Sequence, residues 1–115
     1  MLKAKIHRAT ITETVLWYEG SITIDEDILL ATGILENEKV QVVNLSNASR
    51  IETYVIKGER GSGKISLNGP AARMGYIGDE IIIIAYAIMT PEEGASYRPT
   101  VATLDKKNKI THIKK

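Results

Sequence analysis

The sequence predicts a small all-β domain with short helices, closed into a barrel. Apolar and polar residues alternate over short stretches, as in half-buried strands, and turn residues such as glycine and asparagine separate these stretches. Only a few short segments carry helix signals. Many short strands with few helices are typical of a closed barrel, although periodicity leaves the order of the strands open.

The first half of the chain is predicted to contain four strands and one helix. Apolar patterning places the strands at residues 2–7, 18–24, 39–45 and 50–57. Residues 10–15 are polar and β-branched and continue the extended structure of the first strand. Asp25 is typical of a helix N-cap and Gly33 of a helix end, so a helix of about two turns follows the second strand.

The second half is predicted to alternate strands with turns and single helical turns. The strands fall at residues 64–68, 77–89, 99–104 and 110–113. Pro70 and Gly75 favour one helical turn between the first two of these strands, and Pro91 begins another. The apolar run within the strand 77–89 is too short to span a bilayer and indicates a buried strand.

Composition narrows the class of protein. A chain of 115 residues suits one domain over residues 1–115, and a net charge of +1 gives no electrostatic reason to expect a nucleic-acid or membrane partner. The absence of cysteine excludes disulfides, thiolate metal sites and cysteine nucleophiles. No cluster of histidine and carboxylate residues has metal-ligand spacing, so no metal is expected. Nothing at the start resembles a signal peptide, which predicts a cytoplasmic protein.

Gly20 and Ser21 stand in the middle of a strand pattern, and this pair can carry chemistry. A serine hydroxyl can attack the preceding carbonyl, and this N-to-O acyl shift turns a stable amide into a labile ester. β-Elimination would then cut the chain and leave dehydroalanine at position 21, and loss of ammonia would leave a pyruvoyl group. A glycine in a strand more often marks a simple turn or bulge, so the pair alone does not decide between the two.

Two further sets of side chains suit an anionic substrate. Lys5 and His7 share one strand face, which is either a solvated cationic face or an anion site. Arg50 and Tyr54 also share a face; arginine suits carboxylate recognition, and a tyrosine hydroxyl can donate a proton. Thr53 faces the other way in an ideal strand, so it could join them only at a bulge or a strand end.

Asn68-Gly69 is a strong turn signal. It indicates either a plain turn or a loop whose backbone N–H groups bind a carboxylate or an oxyanion. His112 is predicted to be a surface residue, and we assign it no role.

These segments together resemble the aspartate 1-decarboxylase family. The match is carried by Lys-Ile-His-Arg at 5–8, Tyr-Glu-Gly-Ser at 18–21, Arg-Ile-Glu-Thr-Tyr at 50–54 and Asn-Gly-Pro-Ala-Ala-Arg at 68–73. It covers nearly the whole chain, in order and at family spacing. The resemblance implies a double-psi β-barrel, a homotetramer with active sites between subunits, and self-cleavage into residues 1–20 and 21–115.

The resemblance also implies the reaction. L-aspartate would form a Schiff base with a pyruvoyl group derived from Ser21, and decarboxylation would give β-alanine for pantothenate biosynthesis. Tyr54 matches the family's proton donor, Asn68 a residue packed near the catalytic centre, and Thr53 one linked to processing. The implied substrate-binding positions are Lys5, His7, Arg50, Thr53, Gly69, Pro70 and Ala71.

Two positions depart from the family pattern. Val43 stands where the family often has tryptophan, and Pro70, which has no N–H, stands where alanine is common. Two other classes of protein stay open: a non-catalytic barrel, and a serine hydrolase using Ser21 with His7 as its base but no evident third member. The sequence also leaves open whether processing needs a separate activator protein.

Overall fold

Nine β-strands, two α-helices and one 3-10 helix make up the computed structural model, which describes residues 1–115. In chain order they are β1 (Leu2–Thr10), β2 (Glu13–Val15), β3 (Ser21–Asp25), α1 (Glu26–Thr32), β4 (Lys39–Asn44), β5 (Arg50–Gly58), β6 (Ile65–Asn68), the 3-10 helix (Gly69–Met74), β7 (Glu80–Tyr86), α2 (Pro91–Ser96), β8 (Thr100–Leu104) and β9 (Ile110–Lys114). Every predicted strand and helical segment is present, although several boundaries differ. No helix has both the length and the apolar character needed to cross a membrane.

β3 begins later than the predicted strand 18–24. Ser21 pairs with Asn68, and Asn68 is the last residue of β6 before the 3-10 helix. Residues 18–20 therefore have no strand beside them and form an irregular segment. The predicted start of this strand was wrong, and the Gly20–Ser21 bond lies where β3 begins.

β7 is also shorter than the predicted strand 77–89. Gly78 has a φ of 95°, and the Asp79 N–H donates to the Tyr76 carbonyl at 3.0 Å, so a turn at Gly78-Asp79 immediately precedes the strand. Beyond Tyr86 the chain leaves the sheet, and Ile88 is fully exposed. The apolar run thus extends past the buried strand.

The strands form one mixed sheet in the order β2-β6-β3-β5-β4-β7-β1-β8-β9. β1 with β8, β2 with β6, and β3 with β5 are parallel pairs, and the other neighbours are antiparallel. β2 follows β1 after only two residues, yet the two strands lie toward opposite ends of this order. The sheet must therefore curl back on itself, which gives the barrel its closed core.

The core is aliphatic and draws on most of the strands. It contains Ala4, Ile6, Ala9, Ile11, Ile22, Ile24, Ile28, Leu29, Ile34, Val40, Val42, Val55, Ile65, Leu67, Ala71, Ile81, Ile83, Ala85 and Leu104. β3 differs from the predicted half-buried strand, because its polar residues Ser21, Thr23 and Asp25 are buried as well. Buried polar groups need hydrogen-bond partners, and the partners of these three side chains connect β3 to other segments of the chain.

Asp25 ties the end of β3 to two other segments. Its carboxylate accepts the N–H of Asp27 at 2.8 Å, which confirms the predicted N-cap of α1. It also accepts the N–H of Gly61 at 2.9 Å and of Gly63 at 2.8 Å. Burial opposes ionisation, but the three backbone N–H groups, with a weaker contribution from Lys109, outweigh it and hold the pKa of Asp25 below its ordinary value.

Replacing this carboxylate with the neutral amide of Asp25→Asn is expected to lower the free energy of unfolding by about 2 kcal/mol at neutral pH, since hydrogen bonds to charged groups are the stronger ones. A lowered folded-state pKa stabilises the protein above the ordinary carboxyl pKa, and this stabilisation is lost as pH falls through the lowered value. Urea unfolding should therefore show a gap between wild type and variant that narrows in acid. Glu59→Gln is the control, because Glu59 is exposed in the loop that contains Gly61. A difference in unfolding free energy between wild type and Asp25→Asn that is equal at all pH values would contradict the account.

Candidate active site

The pairing of β3 with β5 starts one residue after the Gly20–Ser21 bond. The first parallel partners are Ile22 and Val55. Before Val55, β5 is paired only with β4, so its other edge is open. The sheet therefore has a gap at the start of β3.

A cavity of about 470 Å³ lies at this open edge. Its walls are formed by Gly20, Ile51, Glu52, Thr53, Tyr54, Pro70, Ala71 and Met74. Four consecutive residues of β5 reach it, which an ordinary two-faced strand does not allow. Thr53 and Tyr54 share one cavity because the edge of β5 is open there; Thr53 lies inside β5 with no bulge, so the predicted need for a bulge or a strand end was wrong.

Ser21 lies beside this cavity but is fully buried. Its hydroxyl donates to the Glu19 carbonyl at 3.2 Å. The same Oγ accepts a hydrogen bond from the Asn68 amide nitrogen at 2.9 Å. Asn68, predicted to support the site, therefore contacts the atom that would attack the Gly20 carbonyl.

The 3-10 helix starts in direct contact with the backbone around Gly20. Gly69 has a φ of 65°, which confirms the turn predicted from Asn68-Gly69. A Cβ at position 69 would lie 2.6 Å from the Tyr18 carbonyl oxygen and 2.8 Å from the Gly20 nitrogen. Gly20 itself has no positive φ, so the left-handed glycine of this site is Gly69.

Gly69→Ala is expected to slow any cleavage at the Gly20–Ser21 bond at least about tenfold, because the new methyl must displace the backbone that carries the scissile bond and small misplacements are costly. The mass of the purified protein, followed over time, measures this rate. Gly33→Ala is the matched control, since Gly33 also has a left-handed φ, 75°, but no atom lies within 4 Å of the added Cβ. Equal rates in both variants would contradict the argument.

The predicted cationic residues do not line this cavity within the single chain. Lys5 and His7 lie on β1, between β7 and β8. The Arg50 guanidinium donates to the Gln41 side-chain oxygen at 2.9 Å. The His7 Nδ1 is buried without a hydrogen-bond partner. Their role in binding substrate stays a prediction.

Three cavity residues received no role from the sequence. Ile51 and Glu52 fall within the segment that carried the family resemblance, but alternation along a strand gave no reason to place both beside Thr53 and Tyr54. Met74 reaches the cavity from the end of the 3-10 helix, and no local sequence signal indicates that contact. No group of three or more histidine, aspartate or glutamate residues could hold a metal ion.

The strands and their order define a double-psi β-barrel protein. The structure is similar to the crystal structure of the rationally designed mkDPBB_sym_86 protein, with a TM-score of 0.53 and 12% identity over 70% of this chain and 95% of that chain. This similarity concerns the fold alone, and it confirms the predicted double-psi barrel.

Sequence comparison with other proteins identifies the family. The family model described as aspartate decarboxylase matches residues 1–111. The aspartate 1-decarboxylase of Chloroherpeton thalassium is 62% identical over 98% of this chain and 83% of its own length, and that of Carboxydothermus hydrogenoformans is 61% identical over 99% and 90%. The aspartate 1-decarboxylase of Exiguobacterium sibiricum is 63% identical over 97% and 88%. The chain belongs to the aspartate decarboxylase family.

Proposed function

We propose that this chain cuts itself between Gly20 and Ser21 and that the product converts L-aspartate to β-alanine and CO₂ for pantothenate biosynthesis. Family membership supports the reaction. The observation that supports the self-cleavage is the fully buried Ser21 hydroxyl, held by Asn68 beside a cavity whose walls include Gly20 and Tyr54.

The cleavage needs no outside nucleophile. The Ser21 Oγ forms a bond to the Gly20 carbonyl carbon, the C–N bond breaks, and the hydroxyl proton passes to the nitrogen. Loss of the Ser21 Cα proton then breaks the Cβ–Oγ bond, so residues 1–20 leave with a terminal carboxylate. Cβ then takes up a proton, which turns the remaining C–N bond into an imine; water adds at Cα, the C–N bond breaks, and ammonia departs. Burial of Ser21 favours elimination, because an ester that excludes water is protected from simple hydrolysis.

The residues at position 21 and around it fit a pyruvoyl group. Gly20 forms part of the cavity wall directly before Ser21, so a break at this bond would open position 21 to the cavity. The pyruvoyl group supplies an electrophilic carbonyl that takes up the substrate amine and accepts electrons as CO₂ leaves. A cavity of about 470 Å³ is large enough for a small amino acid.

Tyr54 is the proposed proton donor to the carbon that loses CO₂. It lines the cavity together with Thr53, which is proposed to act in processing and at the substrate. Ala71 and Pro70, on the 3-10 helix, also line the cavity. Pro70 contributes shape but no N–H, so in this chain a hydrogen bond to the substrate from that backbone position is absent.

We further propose that the active protein is a homotetramer in which a second copy completes the site. Aspartate carries two carboxylates and needs cations, yet Lys5, His7 and Arg50 do not line the cavity of their own chain. The unpartnered His7 Nδ1 supports a ligand or a neighbouring copy at this position. Exposed apolar side chains such as Trp17, Leu35 and Ile88 supply surface for such contacts.

Incubation of the purified protein with L-aspartate tests the proposed reaction. We expect β-alanine and CO₂ in equal amounts, and none from D-aspartate. Protein that has cleaved at Gly20–Ser21 but releases no β-alanine would overturn the reaction while leaving the self-cleavage in place.

A further inference from the structure

Asn68 lies among three hydroxyl groups at the buried end of β6. Its amide nitrogen donates to Ser21 Oγ and to Thr23 Oγ1, both at 2.9 Å. Its amide oxygen accepts from Ser66 Oγ at 2.8 Å. All four residues are less than a tenth exposed, so water does not compete for these hydrogen bonds.

The number of available partners decides which end of the amide faces Ser21. The amide nitrogen carries two hydrogens, and the hydroxyls of Ser21 and Thr23 accept one each. In the reversed orientation the nitrogen would face only Ser66, and one buried N–H would have no acceptor. Leaving a buried donor unpaired is unfavourable, so the hydroxyl of Thr23 holds the nitrogen on the side of Ser21.

This orientation determines what the Ser21 hydroxyl can do. Because Asn68 donates to Ser21 Oγ, the hydroxyl proton must point elsewhere, and it points to the Glu19 carbonyl. The same oxygen later leaves with the Gly20 carboxylate during elimination. An N–H held on that oxygen stabilises the negative charge that develops there, whereas a carbonyl in its place would repel it.

We propose that Thr23 and Ser66 are positioning residues for the self-cleavage, acting by fixing the Asn68 amide with its nitrogen on Ser21 Oγ. Neither residue contacts the scissile bond in this arrangement; each acts through Asn68. The inference rests on the proposed self-cleavage and concerns its rate. It assigns a chemical reason to two buried polar residues beside Ser21 and Asn68.

Thr23→Val removes the hydroxyl while keeping the shape of the side chain. We expect cleavage of the Gly20–Ser21 bond to slow at least about tenfold, which corresponds to about 1.4 kcal/mol in the barrier. Thr23→Ser, which restores the hydroxyl, should recover most of the rate. Intact mass followed over time gives the rate, and hydroxylamine, which cleaves esters, shows whether ester accumulates before elimination.

Thr32→Val is the matched control. Thr32 is also a buried threonine, but its hydroxyl bonds to the Ile28 carbonyl within α1, away from Ser21. A general loss of stability would slow both variants alike, whereas the proposed role slows Thr23→Val alone. If Thr23→Val does not fold, Ser66→Ala carries the same test.

The outcomes separate the two proposals. A wild-type protein that cleaves together with a Thr23→Val or Ser66→Ala variant that cleaves equally fast overturns the positioning role and leaves the self-cleavage standing. Failure of Thr23→Ser to recover the rate likewise overturns the role of the hydroxyl. A wild-type protein that never cleaves overturns both proposals.

Discussion

Ser21→Ala is expected to remain one uncut chain of 115 residues and to form no β-alanine from L-aspartate. The variant lacks the only atom that can take the Gly20 acyl group in the proposed route, so the expected loss is complete. It should still fold. Losing the Ser21 hydroxyl leaves one N–H of the buried Asn68 amide without its acceptor, which costs about 1–3 kcal/mol.

Intact mass and β-alanine formation measured on the same preparation check this result. Ser96→Ala is the control, since Ser96 is exposed on α2 and distant in sequence from the cavity residues. β-Alanine formation by an uncut Ser21→Ala chain would show that the electrophile arises elsewhere. A serine hydrolase would also lose activity with this substitution, but its wild-type form would remain a single chain.

Tyr54→Phe is expected to cut itself as the wild type does and then to decarboxylate L-aspartate about 10²- to 10⁴-fold more slowly. The substitution removes only the hydroxyl, while the ring still fills its part of the cavity wall. Because the proton is needed after CO₂ has left, the fall should appear in kcat more than in KM.

The variant is assayed per cleaved chain, so that any difference in processing does not enter the rate. Tyr76→Phe is the control, because Tyr76 is 81% exposed and lies outside this cavity. A Tyr54→Phe variant with wild-type kcat would assign the proton transfer to another group or to water. A variant that no longer cleaves would place Tyr54 in processing instead.

Features that are determined by residues close together in the sequence could be predicted. Asp25 and Gly33 identified both ends of α1, because a cap is decided by a few local hydrogen bonds. Asn68-Gly69 identified the left-handed turn for the same reason. The acyl-shift pair Gly20-Ser21 is likewise local, since the nucleophile and its target are adjacent in the chain.

The parts that depend on pairing between distant segments could not be predicted. Alternation placed Thr53 on the opposite face from Tyr54, yet both line one cavity, because β3 leaves the edge of β5 open before Val55. Thr23 was expected on the polar face of a half-buried strand, but both faces of β3 are covered. Periodicity describes one strand at a time and contains no information about what covers its edges and faces.

The family resemblance identified site residues that periodicity could not identify, but it gave none of the contacts that those residues make. It named Asn68 as a supporting residue, and the structure gives the physical reason: a direct hydrogen bond to Ser21 Oγ. It also named Lys5, His7 and Arg50 for substrate binding, and these remain predictions that depend on a second copy of the chain.

An intact mass spectrum of the purified wild-type protein, before and after prolonged warming, tests self-cleavage most directly. We predict two fragments that meet between Gly20 and Ser21. The larger fragment should be lighter by one ammonia than the same fragment with an N-terminal serine, as a pyruvoyl group requires. A single chain that never cleaves, or a larger fragment that retains its serine, would contradict the account.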